Sequence, residues 1–327
     1  MKTPTCRFCK SANVVRAGWR YNRNGRKHRF LCKACGRRFT VDDGFLHMWY
    51  AKQTVTKAID LYQEGLSTRK VAAYFSRHER FRPAWTSVWR WVHKFARLVK
   101  RFVMKFMPKV SDHWHADEMF IPIRGMPGWD WEVMDSETKF WLAGRLTEGR
   151  KRTAEHAEAV LRLARERAGK KPLRLTTDEL PAYEAGGRWV FGWRYCEHWM
   201  VDWRRGRGPR NLMERKIQTT RMRLKTIRCF KNLEAGQSWL DGTQIHYNFI
   251  RRHMTLGKTP AEAAGINLKL GRDRWIGLIT MSVKIFVLVY LPRMKQNQFR
   301  AFWSRRGGVA TWGCRQQSLS PCDVGAS

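Results

Sequence analysis

Two pairs of cysteines, Cys6-x2-Cys9 and Cys32-x2-Cys35, constrain this chain more tightly than any other feature. Thiolates two residues apart share one tight knuckle, and two knuckles complete a tetrahedral site of four sulfurs suited to Zn2+. The 22 residues between the pairs hold Tyr21-Asn22-Arg23-Asn24-Gly25 as a hairpin turn, which suits the short strands of a zinc ribbon. In Cys35-Gly36-Arg37-Arg38-Phe39 the glycine eases the second knuckle and Phe39 covers the site. The alternative is two disulfides, which a reducing cytosol disfavours. Four thiolates leave no open coordination position, so the expected zinc at Cys6, Cys9, Cys32 and Cys35 is structural. Cys196, Cys229, Cys314 and Cys322 lack ligand spacing and read as buried or free thiols.

Residues 1–40 carry twelve Lys or Arg and no acid. A zinc module without counter-charge reads as a phosphate-contacting surface. The whole chain of 327 residues has 64 Lys plus Arg against 27 Asp plus Glu, a net charge of +37. With 43% hydrophobic residues it can still bury a core, which excludes wholesale disorder, collagen-like and low-complexity classes. A foldable chain so charged repels itself unless a polyanion neutralises it, so nucleic acid is the expected partner. No apolar stretch follows the basic start as in a signal peptide. The one membrane candidate, Trp275 to Pro292, carries Lys284 near its centre, at an insertion cost of about 2.5–3.5 kcal/mol. No membrane partner is expected, and the location read is cytoplasmic, with the nucleoid.

Residues 52–107 read as helices. Val55, Ala58, Ile59 and Tyr62 form a stripe stopped at Gly65, and Ser67 caps a second helix beginning at Thr68. A third helix has Thr86 as its N-cap, Pro108 as its end and Val88, Trp89, Val92, Phe95, Ala96, Val99, Phe102, Val103 and Phe106 as its apolar face. Its other face is basic, and Arg90, Lys94 and Arg97 are the candidate DNA contacts of a helix-turn-helix whose recognition helix spans 86–97. An ordinary basic helical bundle is the alternative.

From residue 112 the pattern turns extended. Trp114 to Ile123, Trp129 to Met134 and Phe140 to Leu146 read as strands, Thr153 to Ala168 as an amphipathic helix, and Leu173 to Asp178 as a further strand. Three strands, a crossover helix and a fourth strand predict a mixed α/β sheet. Asp117 falls inside the first strand and Asp178 at the end of the fourth, where side chains converge at a sheet's rim. Between Arg204 and Lys231 there are eleven Lys or Arg and a single acid, Glu214. Pro209 and Asn211 place it in the first turns of a helix that can lie across the sheet and bring its carboxylate to the two aspartates. Three carboxylates without thiols or imidazoles favour Mg2+ or Mn2+. Two such ions roughly 3.5–4 Å apart suit phosphodiester displacement. Glu118 and Glu179, next to the triad on strands, are expected to point to the opposite face, Asp135 to be structural, and His115 to share Asp117's face. Most tryptophans, Trp89 and Trp141 among them, read as core.

These residues resemble the DDE transposases of bacterial and archaeal insertion sequences. The resemblance spans about residues 1–280 and rests on His115-Ala116-Asp117-Glu118, Thr176-Thr177-Asp178, Asn211-Leu212-Met213-Glu214-Arg215, Arg228-Cys229-Phe230-Lys231-Asn232 and, above all, the block from His246 to Ile266. It implies a ribonuclease H-like catalytic core with Asp117, Asp178 and Glu214 as a metal-binding triad. The 35 residues between the last two agree with it, as does Arg221, seven residues after the glutamate and on the same helix face. Two positions depart from the family pattern: Glu179 stands where glycine is usual, and Arg252 where proline is.

The resulting expectation is a zinc ribbon over 1–48, a helix-turn-helix domain over 49–110, a ribonuclease H-like core over 111–270 and a C-terminal extension over 271–327 whose apolar run Ile285 to Leu291 is β-prone. The implied activity is binding of terminal inverted repeats, 3′-end cleavage and strand transfer into target DNA by a homo-oligomer of at least two chains. The rivals are an inactive transposase-derived repressor and a nuclease that cleaves without joining.

Overall fold

The structure, a computed structural model, describes residues 4–22, 25–46, 48–201, 212–227 and 229–289, the last five by backbone alone. The expectations for Pro209, Asn211, Arg228, Cys314, Cys322 and the tail from 290 lie outside these residues.

Strands β1 (Val14–Asn22) and β2 (Gly25–Cys32) form an antiparallel hairpin, with Asn22 opposite Gly25 and β3 (Arg38–Phe39) added beside β2. Three helices follow. Helix α1 (Lys52–Gln63) buries Val55, Ala58 and Ile59, and the chain turns at Gly65, whose φ of 109° an L side chain rarely adopts. Ser67 caps α2 (Thr68–His78) by accepting from the Lys70 amide at 3.2 Å. Helix α3 (Trp85–Val103) differs from expectation at both ends. Its N-cap is Ala84, so Thr86 lies in the first turn, and the helix stops five residues before Pro108. Arg167, buried, donates to the carbonyls of Val103 (2.9 Å) and Phe106 and so satisfies that end. Trp89 is exposed rather than core, resting on the His93 ring.

The central sheet has five strands. β4 (His113–Phe120) pairs antiparallel with β5 (Gly128–Asp135), which pairs antiparallel with β6 (Trp141–Glu148). Helix α4 (Ala154–Ala168), entered by a Thr153 capping box and left through Gly169 in the left-handed region, crosses to β7 (Arg174–Thr177), parallel to β4. Helix α5 (Pro181–Val190) then leads to β8 (Glu197–Met200), parallel to β7, for the order β6-β5-β4-β7-β8. This is the mixed sheet with flanking helices of the ribonuclease H-like class read from the sequence.

Alternation along β5 sets the two faces. Trp131 and Val133 point to α4 and α5, where Trp131 meets Tyr183 edge-on at 5.5 Å. Met134 points to the other face, covered by α6 (Leu212–Leu224) and α7 (Leu233–Ile245). Trp114, Trp131 and Trp141 are wholly buried, and truncating any such side chain to alanine costs about 3–5 kcal/mol. Asp135 is structural as expected, accepting from Ser111 and Thr138.

An exposed β6 edge would leave backbone groups unpaired. Side-chain amides take the place of a sixth strand. Gln237 accepts from Leu146 N at 2.9 Å and donates to Gly144 O, while Asn248 both accepts from Trp141 N and donates to Trp141 O at 2.9 Å. Asn248 sits in a π-helical turn, His246–Ile250, that continues α7. Next come the one-turn helix α8 (Pro260–Ala263) and α9 (Arg274–Val289), whose Trp275, Leu278, Ile279 and Val283 belong to the same core as Phe95 and Trp114. The backbone of 285–289 is helical, not a strand. Among the described residues no helix is long and apolar enough to cross a membrane.

Candidate active site

The four N-terminal sulfurs all lie within 4.8 Å of one another, with Cys6–Cys35 at 3.7 Å and Cys9–Cys32 at 3.4 Å. Sulfurs about 2.3 Å from a central zinc ion stand about 3.8 Å apart at tetrahedral angles. The cluster fits that ion, and its sulfurs stand too far apart for disulfides. The two knuckles match. Cys6 O accepts from Lys10 N at 3.0 Å and Cys32 O from Gly36 N at 2.9 Å, and Lys10 and Gly36 share φ values of 65° and 67°. Among the described residues, the buried apolar side chains of this cluster besides the cysteines are Val14, Phe30 and Phe39, too few to hold three strands without a further tie. Protein purified without chelator is expected to carry about one zinc per chain, and chelation or Cys32→Ser to melt residues 4–40 alone, since Phe45 packs on Phe95 in the main core. Metal analysis with amide exchange checks this, and an unchanged exchange pattern in the chelated protein would contradict it.

Asp117 and Asp178 stand on neighbouring strands. β4 and β7 pair in parallel up to His115 and Thr176, and each acid is two residues further on. One carboxylate oxygen each from Asp117, Glu118 and Asp178 lies within 4.8 Å of the other two. The presence of Glu118 corrects the expectation that it points away. Its backbone does face α4 and α5, but β7 ends at Thr177, and past that end the long side chain reaches the aspartates. Glu118 is also held by Arg152 at 2.7 Å. Glu179 is exposed and outside the group. His115 is buried on Asp117's face, 3.3 Å from the Ser136 hydroxyl, and does not reach the acids.

Burial, reinforced by the charges of Glu118 and Asp178, pushes the Asp117 carboxyl up to about 8. Three oxygen donors converging with one aspartate so hard to ionise fit a small divalent cation, whose charge would reverse that shift.

Glu214 is not brought to the aspartates. It is an exposed residue in the first turn of α6. The buried side of that helix is Met213, Lys216, Ile217, Thr220 and Arg223, and at 100° per residue Glu214 lies about 200° from Lys216. Helix α6 nevertheless covers the sheet face of Asp117, because Lys216 forms an ion pair with Glu132, the cross-strand neighbour of Asp117. Arg221 is exposed on Glu214's side. Along α3, Arg90, Lys94 and Arg97 are exposed on one face. Arg97 reaches Glu234 of α7 at 3.2 Å, and Lys94 reaches Met48 Sδ at 3.7 Å.

Sequence reasoning missed Asp130, Glu132 and Lys216, which are buried together under α6. A signal existed: two acids alternate with Trp129, Trp131 and Val133 on an interior strand, so both must occupy one buried face.

Residues 111–253 match the family model DDE_Tnp_IS240, a DDE domain. No curated protein matches the chain. Among solved structures, the trimeric HTLV-2 integrase catalytic core domain in complex with magnesium is 17% identical, the match covering 49% of this chain and 98% of that one at a TM-score of 0.35. The dimeric form of that domain gives 16%, 49%, 97% and 0.34. The simian T-cell lymphotropic virus intasome in complex with PP2A regulatory subunit B56 gamma gives 14%, 49%, 56% and 0.34. By the family model, the resemblance to a DDE domain read from the motifs holds over residues 111–253, the region of the five-stranded sheet.

Proposed function

We propose that the protein is a DNA transposase of the DDE type, cleaving the 3′ ends of its element and joining them to target DNA. The observation that carries this reading is the pair Asp117 and Asp178, side by side at the rim of the sheet in the segment that matches a DDE domain. Asp117 and Asp178 would hold the divalent cations, Mg2+ or Mn2+, with Glu214, exposed in the first turn of α6, as the third ligand of the triad. Bound there, the cations supply Lewis acidity to the attacking and leaving oxygens of a phosphodiester displacement. Arg221, on Glu214's side of α6, holds a phosphate of the end being cut. Arg90, Lys94 and Arg97 of α3, with the cysteine module, bind the terminal inverted repeats. Chemistry proceeds in two displacements. A water oxygen first attacks phosphorus and releases the 3′-hydroxyl, which then attacks a target phosphodiester. Two ends must be held together for joining, so the working form is a homo-oligomer of at least two chains, located with the nucleoid and without a membrane partner.

One observation favours a second reading, an inactive DNA-binding repressor: Glu214 stands outside the acid cluster. Incubating the protein with a terminal-repeat duplex and Mg2+ separates the two. Nicking followed by joining is expected, and Asp178→Asn should do neither. Binding without nicking by the wild type leaves the repressor, and nicking without joining leaves a nuclease.

A further inference from the structure

The cysteine module holds a cleft of about 170 Å3 into which Arg7, Arg20, Arg29 and Arg38 all open, with Phe8 beside them. These arginines come from separate places: the first knuckle, β1, β2 and β3. Among the described residues none of the four guanidinium groups has a carboxylate partner. The nearest acids in sequence are engaged elsewhere, Asp43 with Lys27 at 2.9 Å and Asp42 with the Gly44 amide at 2.8 Å. Four like charges converging on one small cleft repel one another and weaken a module that already has little core. An anion in the cleft reverses that sign.

The cleft is smaller than the roughly 300–1,000 Å3 of pockets that enclose a whole ligand. It therefore suits one phosphate group of a longer chain rather than a complete nucleotide. All four cations are arginines, whose planar forks take phosphate oxygens two at a time, although lysines are also present in the module. Phe8, 46% exposed, has Arg7 and Arg37 over its ring at 5.5 and 5.2 Å and gives the mouth an apolar lip for a sugar.

We propose that this cleft is a phosphate clamp by which the module grips the backbone of duplex DNA; the inference rests on reading the chain as a DNA-binding transposase. A backbone clamp carries no base preference, so its loss weakens all sequences alike.

The test uses the full zinc-loaded chain and fluorescence anisotropy with a terminal-repeat duplex and a scrambled duplex, over a salt series. Arg29→Gln/Arg38→Gln is expected to weaken both duplexes about 10–100-fold and to lower the slope of log affinity against log salt by about 1, near 0.9 for the one phosphate released. Arg29→Lys/Arg38→Lys, which keeps the charge and loses the forks, should fall in between. Zinc content verifies that either variant keeps its fold. Unchanged affinity and slope in a zinc-loaded variant overturn the clamp while leaving the transposase reading intact. A wild type that binds no duplex overturns that reading itself. Inorganic phosphate raising the melting temperature of the wild type, with duplex binding unaffected by the arginine changes, would make this a free-phosphate site and also overturn the clamp.

Discussion

Asp117→Asn and Glu214→Gln are each expected to reduce strand cleavage by at least about 10^3-fold, about 4 kcal/mol of transition-state stabilisation, while Glu118→Gln costs less than about tenfold. The three acids differ in where their charge is already used. Asp117 has one oxygen on the Glu118 amide at 2.8 Å, and burial disfavours its ionisation, so a cation is the partner its charge lacks. An asparagine side chain in its place would keep the shape and remove that charge. Glu118 lies near the same point, but Arg152 neutralises it from the α4 and α5 side of the sheet. Glu214, the third ligand of the proposed triad, is exposed in the first turn of α6 and has no place in the acid cluster. Quantitative cleavage assays on the three variants decide the third ligand. Loss of activity in Glu118→Gln with Glu214→Gln unaffected would transfer the role to Glu118 and make α6 a static cover.

The sheet was legible because its strands are apolar, short and separated by turn residues, and the crossover because α4 has a helical period with Thr153 and Gly169 at its ends. Helix α5, β8 and α7 were not. The four residues Glu197-His198-Trp199-Met200 carry no alternation, and α7 mixes Gly236, Gln237 and Gly242 with its apolar positions because it must approach β6 closely and hydrogen-bond its edge. Such residues answer to a partner far away in sequence, which local periodicity does not contain. The candidate site followed the same rule. Asp117 and Asp178 were found because strand ends meet at a rim, and the four cysteines because spacing alone sets a knuckle. Glu118 was misplaced because strand alternation fixes where a Cβ points, not where a long side chain ends once its neighbouring strand has stopped.

Lys216→Met is expected to destabilise the protein by about 3–5 kcal/mol, the cost of leaving a buried charge without its partner. Against a total stability of roughly 5–15 kcal/mol, that threatens the fold. Glu132 is fully buried and Lys216 nearly so, and their ion pair lies against the Trp141 ring. Asp130, on the same face and also fully buried, has neither oxygen hydrogen-bonded. Burial raises Asp130 well above the usual carboxylate range, which disfavours a second negative charge beside Glu132, and burial brings Lys216 down to about 8. Lys216 and Glu132 thus face each other as the ion pair of this buried face. Removing Lys216 alone strands Glu132. Removing both, as Glu132→Met/Lys216→Met, replaces the pair by apolar groups of similar length and should restore stability to within about 1–2 kcal/mol of the wild type, since paired buried ions seldom outperform such a core. Urea unfolding of the single and double variants measures the difference. A single variant as stable as the wild type would mean that the ion pair does not hold α6, which is then seated on the sheet by its apolar residues Met213 and Ile217.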